Sequence, residues 1–312
     1  QYSFDKVVTH CPHCLHTIGK EYAKFDDGAF ETIHHTELLA ELINSFGIIY
    51  AQLIGIDEMK IYGFVPARMA ASRFPGTPLH QILGRPMIEH CFERAKLYKN
   101  WEFLALATCD EEIRKFAIEK NYTVLMTSKK HTRALARVAE AVTICGQEIS
   151  ENDIIVCVQG DEPLLGPDLI DAVIQPFQED PNVNGTMLAV PIIDEETYKN
   201  PDTVKLVHNL KGDVLYTSRS TIPYAEIFSS EVGAKRVGGI FGFKWHFLNW
   251  FTNSQASPLE KKESCDSNRI YDHGFTQRIS TMPPRPYHSV DSPEDIVRVE
   301  QAMPNDPYWG KY

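Results

Sequence analysis

Arginine is missing from the first sixty residues of this 312-residue chain; the first one is Arg68. The same stretch holds five of the twelve histidines, His10, His13, His16, His34 and His35, so its composition differs from that of the remaining chain. A boundary is expected near residues 55–60, separating an appendage of residues 1–58 from a main domain of residues 59–312. No apolar run approaches the roughly 20 residues needed to cross a bilayer, so membrane insertion is not expected. No series of charged, apolar and small residues opens the chain, so a secretory leader is not expected either. Gln1 stands where a Met would begin a chain, and a start upstream of it is expected. Internal repeats and low-complexity tracts are also lacking.

Basic charge is scarce as well. Lys and Arg number 31 against 42 Asp and Glu, a formal net charge of −11. A surface that acidic repels phosphate backbones, which excludes nucleic acid as an expected partner. A single nucleotide can still bind where a few arginines share one cleft. The seven cysteines are odd in number, and Cys91, Cys145 and Cys157 sit in apolar helix-like or strand-like runs. They read as reduced, buried thiols of a cytoplasmic protein.

What is present is a regular alternation. Strand-like runs at 61–65, 103–108, 123–126, 153–158 and 186–190 are separated by helix-like runs at 85–97, 111–119, 132–144 and 167–177. Such alternation predicts an α/β fold, a mostly parallel central sheet with helices on both faces. The later segments "TVKLVHN", "DVLYTSR" and "GGIFGFK" are richer in strand and are expected to add antiparallel pairs. Before the boundary, a strand at Lys6–Thr9, a "CPHC" turn and a helix over 36–44 are expected.

In open α/β sheets, ligands bind beyond the carboxyl ends of the strands. The first such end is "VPARMAASRFPGTPL", where small residues let the backbone approach an anion and Arg68 and Arg73 offer charge-assisted donors. Read alone, the segment fits a surface loop with two solvated arginines equally well. "IIVCVQGDEPLL" is a buried strand ending in Gln159, Gly160 and Asp161, and a carboxylate there suits a hard cation. Asp291 in "SVDSPEDIVRVE" precedes a helix beginning at Pro293, and local sequence favours a helix cap. Arg133 and Arg137 in "SKKHTRALARVAEAV" are four apart, hence on one helical face, and a solvated basic helix start is the competing reading.

Together these segments resemble the CMP-3-deoxy-manno-octulosonate synthetases, a family of sugar-acid cytidylyltransferases. The resemblance runs through "VPARMAASRFPGTPL", "LGRPMIEHCFERA", "VQGDEPLL", "VLYTSRSTIPY", "SPLEKKES" and "SVDSPEDIVRVE", in family order and spacing across residues 61–312. It implies a nucleotide-sugar transferase type of α/β sandwich, usually a homodimer. It further implies transfer of CMP from CTP to the anomeric hydroxyl of a 3-deoxy-octulosonate-like acid, with release of pyrophosphate and with Mg²⁺ held jointly by Asp161 and Asp291. Arg68, Asp161 and Asp291 would be catalytic, with Ala67, Arg68, Ser72, Arg73, Arg133, Arg137, Gln159 and Gly160 on the nucleotide. Arg219, whose fork suits a carboxylate, would bind the acidic sugar, with Glu260 and Glu263 on its hydroxyls.

Three departures stand out: Thr77 replaces the lysine of the family's "PGKPL", Ala136 replaces an aspartate, and Val237 replaces a histidine. They keep two alternatives open, a nucleotide-binding homologue with impaired catalysis and a nucleotidylyltransferase for another sugar. Residues 1–60 resemble the tail of a cysteine-rich domain of iron–sulfur oxidoreductases. Cys11 and Cys14 alone cannot complete a four-cysteine cluster or a zinc site, so no metal is expected there.

Overall fold

The structure, a computed structural model, describes residues 6–9, 31–34, 59–70, 74–283 and 285–312. The chain divides into two compact units, Gln1–Glu58 and Met59–Tyr312. In the first, strand β1 (Lys6–Thr9) runs parallel to β2 (Glu31–His34). The expected "CPHC" turn and the helix over 36–44 lie outside the described residues.

The second unit is built on a nine-stranded sheet. Strand β3 (Ile61–Ala67) leads, after the short hairpin β4 (Gln81–Ile82) and β5 (Arg85–Pro86), to β6 (Phe103–Thr108), β7 (Val124–Met126) and β8 (Ile154–Val158). Four of these lie side by side in the order β8-β3-β6-β7, all parallel. Beyond them come β9 (Gly185–Pro191), β10 (Lys205–His208), β11 (Val214–Ser218), β12 (Lys235–Lys244) and β13 (Arg278–Thr281). Strand β12 runs antiparallel to β8, β9 and β10, as the strand-rich later sequence led one to expect.

Parallel strands buried on both faces must be apolar at every position, and the two faces can be read from alternation. In β8, Ile154, Val156 and Val158 join one core cluster while Ile155 and Cys157 join the other. In β3, Val65 and Ala67 face the first cluster and Tyr62 and Phe64 the second. The first face is covered by α1 (Met87–Lys96), α2 (Glu111–Glu119) and α4 (Pro167–Glu179), the second by α3 (Ala134–Ile144). The short α5 (Glu195–Lys199) precedes β10; α6 (Trp245–Asn253) covers the second face, and α7 (Pro258–Glu263) and α8 (Asn268–Asp272) follow it. Helix α9 (Pro293–Ala302) returns to the first face through Ile296 and Val299.

The carboxyl ends of β3 and β8 meet closely. A Cβ on Gly160 would fall 2.8 Å from the Pro66 carbonyl oxygen, so any larger residue would push the two strand ends apart. That close approach opens one cleft above them.

Candidate active site

The cleft has a volume of about 830 Å³ and is lined from both strand ends, from the loop before β10 and from the segment entering α9. Ala67, Arg68, Gln159, Gly160 and Asp161 all line it. Ala67 is buried at the end of β3, and Arg68 is half-buried just beyond. Ser72 and Arg73 lie outside the described residues. The loop returns through Gly76, whose N–H donates to Met69 O at 2.9 Å and whose φ of 80° is left-handed. Thr77 is buried and lines the cleft, but its hydroxyl donates to the Phe74 carbonyl and closes the turn. Its side chain shapes the loop and carries no charge toward an anion.

Asp161 and Asp291, separated by 130 positions in sequence, come to the same wall. The Val290 N–H donates to the Asp161 carbonyl oxygen at 2.9 Å, and Ser289 Oγ donates to Glu162 Oε1 at 2.8 Å. Two adjacent residues of one loop are thereby stitched to two adjacent residues of the other. Both aspartates line the cleft. The cap reading for Asp291 gives way to a different arrangement: the N-cap of α9 is Ser292. Its N–H (2.9 Å) and that of Asp291 (3.1 Å) both donate to Asp295 Oδ2.

Glu162 is buried, and burial raises its carboxyl above the usual range although the Arg236 charge opposes the shift. It also fills the space over Gly239, where a Cβ would fall 2.1 Å from Glu162 Oε1.

The donor set on this wall is all oxygen, which suits a hard divalent cation. Magnesium is commonly held by one or two carboxylates, with waters and substrate phosphates completing its shell. Asp161 after β8 and Asp291 before α9, on loops joined by the Val290–Asp161 backbone bond, fit that pattern. Among the described residues, no group of three or more His, Cys, Asp or Glu side chains forms a cage that would hold a metal by itself.

On the α3 side, Arg133 is exposed, stands at the helix N-cap and lines the cleft. Arg137 also borders the cleft, but it is buried, and its guanidinium donates to Thr127 Oγ1 and, at 3.1 Å, to the His131 carbonyl. His131 is in turn bonded to Glu140 one turn further along α3. Arg137 therefore sets the shape of the 127–133 loop, while Arg133 presents charge.

Of the three residues expected on a sugar, only Arg219 lines the cleft. Glu260 is buried, takes a bidentate pair from Arg269 with both contacts at 2.8 Å, and accepts from the Ser257 N–H at 3.2 Å. Glu263 accepts from the Tyr216 hydroxyl, from Ser218 Oγ at 3.0 Å and from the Arg219 N–H at 3.0 Å. Both carboxylates are bonded to protein donors and neither lines the cleft, an arrangement that supports the wall. Burial opposes ionisation of each. The surrounding donors outweigh it and hold both carboxyls below the usual glutamate range.

Residue-type reasoning missed Arg236, Asp266 and His288, which also line the cleft. Arg236 sits on β12 and donates to the Tyr287 carbonyl at 2.8 Å, in the segment leading to Asp291. A basic residue just before the "GGIFGF" run was the only sequence signal available for it. Val237 lines the cleft next to it, where the register of β12 against β9 shifts.

Comparison with known proteins decides the family. The profile of the family described as "Cytidylyltransferase" matches residues 62–279. The chain belongs to that family. It is 37% identical over 251 residues to the 3-deoxy-manno-octulosonate cytidylyltransferase of Nitratidesulfovibrio vulgaris strain DP4, covering 78% of this chain and 97% of that one. The protein of the same description from Syntrophotalea carbinolica is 34% identical over 253 residues, covering 78% and 99%. Among solved structures, CMP:2-keto-3-deoxy-manno-octonic acid synthetase complexed with CTP superimposes with a TM-score of 0.70 at 29% identity, covering 79% of this chain and 99% of the other. A cytidylyltransferase from Leptospira borgpetersenii shares the fold at a TM-score of 0.52 and 16% identity, covering 80% and 88%.

Proposed function

We propose that residues 59–312 transfer CMP from CTP to the anomeric hydroxyl of a 3-deoxy-octulosonate-like sugar acid and release pyrophosphate. The single observation that carries this reading is the stitched pair of loops that brings Asp161 and Asp291 to one cleft wall at the ends of β8 and α9. In the reaction, an oxygen–phosphorus bond forms at the α-phosphorus. The α–β anhydride bond breaks, the hydroxyl gives up its proton, and pyrophosphate departs. Such chemistry asks a protein mainly for positioning and charge stabilisation.

In this reading Arg68 and Arg133 offer the triphosphate charge-assisted donors. The backbone from Gln159 to Asp161 forms the floor on which the nucleotide lies, and Arg219, held at the cleft by bonds to Pro201 O and Glu263 O, would meet the sugar's carboxylate. Asp161 and Asp291 would hold Mg²⁺, which when bound neutralises phosphate charge and favours alignment of the attacking oxygen. Homodimeric assembly in the cytoplasm completes the proposal, with light scattering as the check on the dimer. Among the described residues no helix is long and apolar enough to cross a membrane.

Pyrophosphate release over CTP and UTP, each paired with sugar acids and with sugar 1-phosphates, tests the assignment. Turnover confined to CTP with a sugar acid supports it; turnover with sugar 1-phosphates contradicts it. Thr77, with its hydroxyl bonded to Phe74 O, favours a second reading, in which CTP binds and catalysis is impaired. Tight CTP binding without pyrophosphate release for any sugar acid would select that reading.

A further inference from the structure

Lys205, the first residue of β10, takes no direct part in the proposed reaction. Its relative exposure is 0%, an environment lysine seldom occupies because an ammonium loses its hydration there. Hydrogen bonds offset part of that cost. Nζ donates to Asn200 O at 2.8 Å, to Thr203 O at 2.8 Å and to Arg219 O at 2.5 Å. An ammonium has three donors, and all three are used on backbone carbonyls.

Those carbonyls belong to two separate stretches of the cleft wall. Asn200 and Thr203 bracket the turn before β10, and Arg219 follows β11, the antiparallel neighbour in which Ser218 faces Lys205. Asn200, Asp202, Thr203, Val204 and Arg219 all line the cleft. The Arg219 side chain depends on the same turn: its guanidinium donates to Pro201 O at 2.9 Å and to Glu263 O at 3.1 Å. A methionine would fill the volume of Lys205. Lysine supplies a donor to each of the three carbonyls, and methionine supplies none.

We infer that Lys205 is a positioning residue for the acidic substrate, fixing the backbone and side chain of Arg219 against the 200–204 turn. The inference rests on the proposed function, in which Arg219 meets the sugar's carboxylate.

The test uses the full chain carrying Lys205→Met or the milder Lys205→Gln, with steady-state kinetics in both substrates and calorimetric binding of CTP. The expected result is a KM for the sugar acid raised about tenfold or more, with the KM for CTP within about twofold and kcat within about threefold. Combining Lys205→Met with Arg219→Gln is expected to raise the sugar KM no further than Arg219→Gln alone, because both changes act on one contact. Equal rises in both KM values overturn the inference, as does an unchanged sugar KM. Loss of CTP binding in both single variants overturns it too, in favour of a general role in stability. A wild-type protein that turns over no sugar acid refutes the functional reading itself, and the control arm shows this before any variant is compared.

Discussion

On the β3 and β8 side of the cleft, backbone bonds such as Val290 N–H to Asp161 O hold the loops in place, while Asp161 and Asp291 line the opening. On the β10 and β11 side the charged groups hold one another. Glu260 is paired with Arg269, and Glu263 is ringed by Tyr216, Ser218 and the Arg219 N–H. Lys205 is closed off by three carbonyls. The contrast shows that a charged residue near a cleft carries two different meanings. On the first wall the loops are joined by a backbone bond and by Ser289 to Glu162; on the second, paired charges and buried ammonium bonds make the loop.

The contrast can be broken first at the aspartates. Asp161→Asn is expected to lower CTP-dependent pyrophosphate release about a thousandfold, because the effect of losing a charge-stabilising group falls on the transition state. Circular dichroism and the urea midpoint should hardly move. A large loss of stability with little loss of rate would reverse the assignment of the two walls.

At Glu260 the pattern should invert. Glu260→Ala removes one partner of a buried bidentate pair and leaves the Arg269 charge uncompensated, so urea unfolding should show a loss of about 3 kcal/mol. CTP affinity measured by calorimetry should be unchanged. If sugar binding fell while stability held, Glu260 would belong to the ligand after all.

Acid sharpens the comparison further. The Glu260 and Glu263 carboxyls titrate lower in the folded protein than the ordinary value of 4.5, so the folded state binds fewer protons than the unfolded chain around that value. Their contribution is therefore present above pH 4.5 and is lost as pH falls through the lowered folded values. Urea midpoints taken from neutral pH down through this window should decline, and Glu260→Gln should flatten the decline. An equal slope in the variant would deny Glu260 that role.

The smallest change is expected at Thr77. Thr77→Lys places a cation beside the anion loop, and the KM for CTP should fall about two- to fivefold. An unchanged KM would mean that the triphosphate does not pass residue 77.

Much of this was legible in the sequence, for identifiable reasons. The parallel sheet showed because strands such as "IIVCV", buried on both faces, leave an uninterrupted apolar run. The helices between them were placed to within a few residues, and the strand at Lys6–Thr9 stands where it was expected. Ala67, Arg68, Gln159, Gly160 and Asp161 line the cleft because topology sends strand ends to one side of the sheet. The protein partners of Arg137, Glu260 and Glu263 were not legible, because residue type does not reveal a hydrogen-bond partner contributed by another segment. Glu263 finds its partners at Tyr216, Ser218 and Arg219, through a pairing of β11 with the α7 end that no local pattern announces. Arg236 and Lys205 stayed hidden because each sits in a strand whose apolar neighbours dominate the reading.

Manganese titration in the presence of CTP, followed by the electron paramagnetic resonance of the free ion, reaches the central claim most directly. If Asp161 and Asp291 grip the same cation, the wild-type chain should take up an ion that both Asp161→Asn and Asp291→Asn lose, each with the fold intact. Undiminished uptake in both variants would contradict the shared site.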